Sequence, residues 1–130
     1  DHAITDNLDC TDDDYAAHTM KLNTGSAGVA ICAMAGANER PFAPGPFPIK
    51  PAQWNAALIA CADLCRRYRL APSPRSLLMH CEVEAFYGIA SSKWDIAHRG
   101  EMWTPPAKYR EMTPGDELRA RVKILLAEEE

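Results

Sequence analysis

The sequence predicts a mixed α/β fold, a central β-sheet flanked by helices, on three observations. Ala27–Met34 is a short, charge-free apolar run between Gly25 and Gly36, the pattern of a strand buried on both faces of a sheet. Ser76–Val83 is a second short apolar run of strand type, with His80 and Cys81 near its end. Pro51–Arg69 and Thr113–Ala127 carry helical spacing, so the expected layers are strands with helices packed on them. The length of 130 residues fits one domain and is short for a second independent one. A chain of this size buries about two-thirds of its unfolded surface, enough for a core without staples.

The opening stretch Asp1–Thr24 is polar and acidic, with Asp9, Asp12, Asp13 and Asp14 close together and neither helical nor strand periodicity. It is expected to be a loop. The acidic cluster is expected to be a solvated turn, because the spacing lacks the glycine and the distal glutamate of a calcium-binding loop. After the first strand, Ala35–Ile49 contains Pro41, Pro44, Pro46 and Pro48 and reads as a stiff loop. Pro51 suits the first position of a helix, and Trp54, Ala57, Leu58, Cys61, Leu64, Cys65 and Tyr68 then recur on one helical face. Arg66, Arg67 and Arg69 complement the helix dipole at its end, and Pro72 and Pro74 stop it. A turn at Gly88 follows the second strand, then Ser91–Ile96 and a proline-containing loop to Met112. Thr113 is the expected cap of the last helix, with Pro114 first, Asp116 and Glu117 in the opening turn, and Leu118, Val122 and Leu125 as its apolar stripe. The closing Glu128, Glu129 and Glu130 oppose the dipole and are expected to fray.

Composition excludes several classes of function. Fourteen basic against 18 acidic residues give a net charge of −4 with no basic block, which argues against a nucleic-acid partner. At 47% hydrophobic and 25% charged the chain is globular rather than disordered. The five cysteines, Cys10, Cys32, Cys61, Cys65 and Cys81, are odd in number and scattered, and are expected to be reduced. Cys61 and Cys65 fall on the apolar face of the long helix, where cysteine serves as a small hydrophobe. No apolar run approaches the roughly 18 residues that span a bilayer, and no signal segment opens the chain. The start at Asp1 without a methionine reads as processing or truncation.

The residues able to carry chemistry gather around the second strand. His80 ends it, and Lys93-x-Asp95 follows in a loop. An imidazole at a strand end and a carboxylate from a nearby loop are a workable pair of zinc ligands, and a hydrolytic zinc site takes three such ligands with one position open. On spacing alone, a hydrogen-bonded structural histidine is the commoner explanation. Lys93 would stand near the bound group as a cation able to stabilise an oxyanion, against the usual reading of a solvated lysine.

Longer stretches carry a resemblance. Tyr15-Ala-Ala-His18-Thr-Met-Lys-Leu-Asn23-Thr-Gly-Ser26-Ala-Gly-Val-Ala, followed by Ala33-Met34-Ala-Gly36, resembles a segment of zinc-dependent N-acetylmuramoyl-L-alanine amidases. Asp6-Asn7-Leu8-Asp9-Cys10 resembles the form it takes in phage and prophage endolysins. Gly45-Pro46-Phe47-Pro48-Ile49, the helix with Ala62-Asp63-Leu64-Cys65-Arg66-Arg67-Tyr68, His80-Cys-Glu82-Val83 and Lys93-Trp-Asp95-Ile96 then occur in that family's order, so the likeness covers most of Asp1 to Ile96.

The resemblance implies an amidase or peptidoglycan-recognition-like α/β domain with Zn2+ as cofactor and peptidoglycan as substrate. His80 and Asp95 become zinc ligands, Lys93 the residue that polarises the scissile carbonyl, and His18 and Asn23 substrate contacts in the groove beside the metal. For His18 a structural histidine and a stand-in metal ligand stay open. The reaction implied is hydrolysis of the amide between the muramic acid lactyl group and L-alanine, by an enzyme held in the host cytoplasm until lysis and acting on the cell wall. Nothing here matches the region that carries the family's first zinc histidine; His2 lies too close to the start to follow a strand. Ala30 and Cys32 stand where some amidases place a glutamate, and Ala27 where a larger aliphatic is usual. The expectation is therefore an N-terminally incomplete domain spanning residues 1–130. The alternatives are a non-catalytic peptidoglycan-binding module, an inactive prophage remnant, and a small structural protein whose His80 and Asp95 merely hydrogen-bond.

Overall fold

A computed structural model describes residues 3–128. His2, and Glu129 and Glu130 with their expected fraying, lie outside the described residues. The chain divides into two compact units, Asp1–Ala30 and Ile31–Glu130.

The first unit has one short 3-10 helix, Ile4–Leu8, and is otherwise irregular. Polar side chains organise it. Asn7 is buried, its Nδ2 donating to the carbonyls of Ala16 (2.8 Å) and Asn23 (3.2 Å) and its Oδ1 accepting from the Ala16 amide (2.8 Å). Asn23 Oδ1 accepts from the amides of His18 (2.8 Å) and Thr19 (2.9 Å). An asparagine that answers backbone groups in this way substitutes for a ladder the segment lacks. The acidic run is exposed and turns on itself. Asp9 accepts from the amide and hydroxyl of Thr11, and these bonds hold its carboxyl below the usual range.

The second unit is built from helices α1 (Pro51–Tyr68), α2 (Val83–Tyr87) and α3 (Pro114–Ala127). Helices α1 and α3 pack on each other, and Trp54, Leu58, Cys61, Ala62 and Cys65 from α1 meet Leu118 and Val122 from α3, with Ile49 and Met79 completing the buried cluster. Each large apolar side chain so buried contributes about 1.5–3 kcal/mol. The sequence-derived bounds of both long helices agree with the structure to within a residue or so. Arg69 follows α1 in the left-handed region (φ 55°), and the Leu70 amide donates back to the Cys65 carbonyl at 2.8 Å, a Schellman closure without the usual glycine. Thr113 caps α3 by accepting from the Asp116 amide at 3.1 Å.

The expected central sheet does not form among the described residues, and the mixed α/β class is corrected to a helical one. Among the described residues the only β pairing is an isolated antiparallel bridge between Asn38 and Ala43. Ala27–Ala30 is exposed, Val29 to 49%. The reason lies in its side chains: between Ala27 and Met34 only Val29 and Ile31 are β-branched, and alanine and glycine offer a sheet little area to bury. The second expected strand, Ser76–Val83, is a turn and the start of a helix. Ser73 and Ser76 tie the turn through their hydroxyls, and a 3-10 turn, His80–Glu82, runs directly into α2. Glu82 Oε1 accepts from the Met79 amide at 2.9 Å, the glutamate half of a capping box, which commits Met79–Val83 to a helical start. Gly88 ends α2 at φ 67°, a left-handed position that suits glycine.

Two buried ion pairs join α3 to the loops. Glu117, 0% exposed, accepts from Arg99 Nε (2.6 Å), Arg121 Nη1 (3.0 Å) and Trp54 Nε1 (3.1 Å). Arg99 in turn donates to the carbonyls of Tyr109 (2.6 Å) and Met112 (2.8 Å), which fastens the loop before α3. Arg119 takes Glu82 in a two-pronged grip (3.0 and 2.7 Å) and also donates to the Leu77 carbonyl (3.0 Å).

Candidate functional site

His80 opens the 3-10 turn before α2, and Asp95 lies in the following loop. The Cys81 amide donates to the Asp95 carbonyl at 3.0 Å, pinning the loop to the turn. On that anchor the side chains meet: His80 Nδ1 and Asp95 Oδ2 are 3.0 Å apart, with the side chains 29% and 59% exposed. The structure therefore brings together the two residues that the sequence proposes as ligands. An ionised carboxylate can only accept, so the imidazole donates from Nδ1.

Lys93 is exposed, with its amide on the Ser91 hydroxyl at 3.2 Å. It lines, with Asp95, a cavity of about 300 Å³ whose other walls include Met34, Ile49, Trp94, Ile96 and His98. Phe42 stacks on His98 with ring centroids 4.2 Å apart, and Trp94 meets both rings edge-on at 6.1 Å. This aromatic wall was not singled out in the sequence, because no periodic signal links Phe42 to the segment Trp94–His98.

Cys81, next to His80, is no candidate nucleophile. Burial, with the charges of Glu82 and Asp95, pushes its thiol up to about 11, so it stays protonated at neutral pH. Cys61 and Cys65 are buried on α1 as expected, and burial pushes the Cys61 thiol up to about 11 as well.

The pair meets the demands of zinc in span and donor type. Two donors at about 2.0–2.1 Å on a tetrahedral ion lie about 3.3 Å apart. The observed 3.0 Å therefore needs only a small opening for an ion to take the place of the hydrogen bond. Nitrogen and oxygen are both suitable donors, so the pair fits two vertices of a zinc shell. Among the described residues no group of three or more His, Cys, Asp or Glu side chains is arranged to hold a metal ion.

His18 and Asn23 belong to the first unit. His18 is half-buried, with Nδ1 3.0 Å from the Thr19 hydroxyl and Nε2 3.1 Å from the Ser26 hydroxyl. Ser26 Oγ also bonds the carbonyls of Leu22 and Asn23. Asn23 spends its oxygen on two backbone amides, so its visible work is to shape the loop.

The sequence places Glu117 only in the opening turn of the last helix and Glu82 only in the resembling segment, and nothing in it signals their buried pairing with Arg99 and Arg119.

A family model described as N-acetylmuramoyl-L-alanine amidase matches residues 2–107. No curated protein and no solved structure matches the chain.

Proposed function

This chain belongs to the N-acetylmuramoyl-L-alanine amidase family, and from that premise we propose that it is a zinc-dependent hydrolase of the amide between N-acetylmuramic acid and L-alanine, of the phage or prophage endolysin kind. The observation that carries the reading is the contact of His80 Nδ1 with Asp95 Oδ2 at 3.0 Å beside the cavity that Lys93 lines.

In this reading His80 and Asp95 are two zinc ligands, with a further donor needed from outside the described pair. When bound, zinc supplies Lewis acidity, polarising a carbonyl and bringing a water's pKa toward neutrality. The chain's own residues do the rest. Before an ion takes the place of their hydrogen bond, Asp95 holds the imidazole in one orientation through Nδ1, and the backbone bond from Cys81 keeps the two segments in register. Lys93, exposed on the cavity wall, offers its ammonium to the oxygen on which negative charge develops. Trp94 and His98 give the cavity an aromatic lining, and Phe42 stacks on His98. His18 and Asn23 are assigned to substrate contact by resemblance. Residues 1–130 act as a single amidase domain in this reading, on the cell wall after release from the host cytoplasm. Among the described residues no helix is long and apolar enough to cross a membrane.

The absence of a third ligand among the described residues favours a second reading, a peptidoglycan-binding module without catalysis. Release of free amino groups from purified cell wall by the zinc-supplemented chain separates the two. Release that falls at least a hundredfold in Lys93→Ala supports the hydrolase. Cell-wall binding without release supports the module and overturns the hydrolase.

A further inference from the structure

We propose that Glu82, Arg119 and Gly115 form a positioning unit that sets the His80 turn against Asp95; the inference deepens the reading of His80 as a zinc ligand and rests on it. Glu82 accepts from the Met79 amide immediately before His80 (2.9 Å). The same carboxylate is gripped by Arg119 at 3.0 and 2.7 Å, from a side chain only 6% exposed. Arg119 also donates to the Leu77 carbonyl at 3.0 Å, so one guanidinium fixes the segment before the turn and the carboxylate inside it. The hydrogen bonds to Glu82 and Asp116 raise the Arg119 pKa.

Gly115 is the independent observation. It lies in the first turn of α3, where glycine is about 1 kcal/mol worse than alanine. A Cβ there would collide with the Glu82 carboxylate. The glycine thus lets Glu82 approach the N-terminal end of α3, where a negative charge is also favoured by the helix dipole. Through these contacts α3 sets the height of the His80 turn, and a ligand held by supporting contacts is oriented before the ion arrives.

The test is Gly115→Ala, which adds one methyl group and removes no charge. Two readouts are taken: the affinity for Zn2+ by titration calorimetry, and the ring-nitrogen spectrum of His80 in the metal-free chain. The expected result is a tenfold or greater loss of Zn2+ affinity and, without metal, the passage of His80 from the Nδ1–H tautomer to a mixture. A folded Gly115→Ala chain with an unchanged ring-nitrogen spectrum and Zn2+ affinity within twofold overturns the proposal, whatever its thermal midpoint. If that variant does not fold, Glu82→Gln, which keeps volume and the Oε1 acceptor shared by Met79 and Arg119 Nη1 but turns the Oε2 prong into a donor against Arg119 Nη2, decides by the same readouts. Should the unaltered chain take up no Zn2+, the ligand reading fails, and the tautomer of His80 still decides the positioning role.

Discussion

The two units are held by different forces. Residues 31–128 rest on an apolar cluster between α1 and α3, reinforced by the buried Glu117 and Arg119 ion pairs. Among its described residues the first unit has no such cluster, and Asn7 and Asn23 hold it through side-chain bonds to its backbone. The contrast teaches where a single change is absorbed and where it is not. Area burial is shared among many side chains, whereas a carboxamide that answers three backbone groups has no deputy.

The largest effect is expected at Glu117. Its carboxylate pairs with Arg99 in the buried network, so Glu117→Ala removes the charge that answers a buried guanidinium and should cost about 3–5 kcal/mol. Urea denaturation followed by tryptophan fluorescence checks it. A loss under about 1 kcal/mol would mean that water reaches Arg99 and that the network is not the keel of the second unit.

Asn7→Ala sharpens the comparison from the other side. It should cost about 1–3 kcal/mol and confine the loss to the first unit. Hydrogen exchange should quicken at Ala16 and Gly25 and stay slow in α1 and α3. Uniform quickening across both would show that the two units unfold together.

A smaller effect follows from the cysteines. Cys61 and Cys81 ionise at about 11 in the folded chain, above the ordinary thiol value of about 9. The folded state therefore keeps protons that the unfolded chain releases, and stability is full below pH 9 and falls as pH rises toward 11. Cys61→Ala should flatten that decline, against its own cost in packing. A midpoint independent of pH over this window would remove both thiols from the account.

How far the sequence could be read divides along the same line. α1 and α3 were legible because apolar periodicity, Pro51, Pro114 and the Thr113 cap all agree on them. The sheet was not, because a short apolar run such as Ala27–Met34 has no period of its own and its alanines and glycine suit an exposed loop equally well. Ser76–Val83 has the apolar run of a strand, but the capping bond that Glu82 accepts from the Met79 amide starts a helix there. At the site, residue type and position suggest His80 and Asp95 as a pair, the resemblance adds weight to it, and the two side chains lie in contact. Their supports were invisible: Glu117 in the opening turn of a helix reads as a partner for the dipole, and nothing local says that Arg99 will bury against it.

The smallest effect on stability belongs to the site itself. His80→Ala removes a half-exposed pair and should cost less than about 1 kcal/mol. Its effect on metal should be decisive. Elemental analysis of the unaltered chain, His80→Ala and Asp95→Ala after dialysis against Zn2+ tests the central claim most directly. Stoichiometric zinc in the unaltered chain and its loss in both variants is the predicted result, and zinc retained in either variant would contradict the assignment.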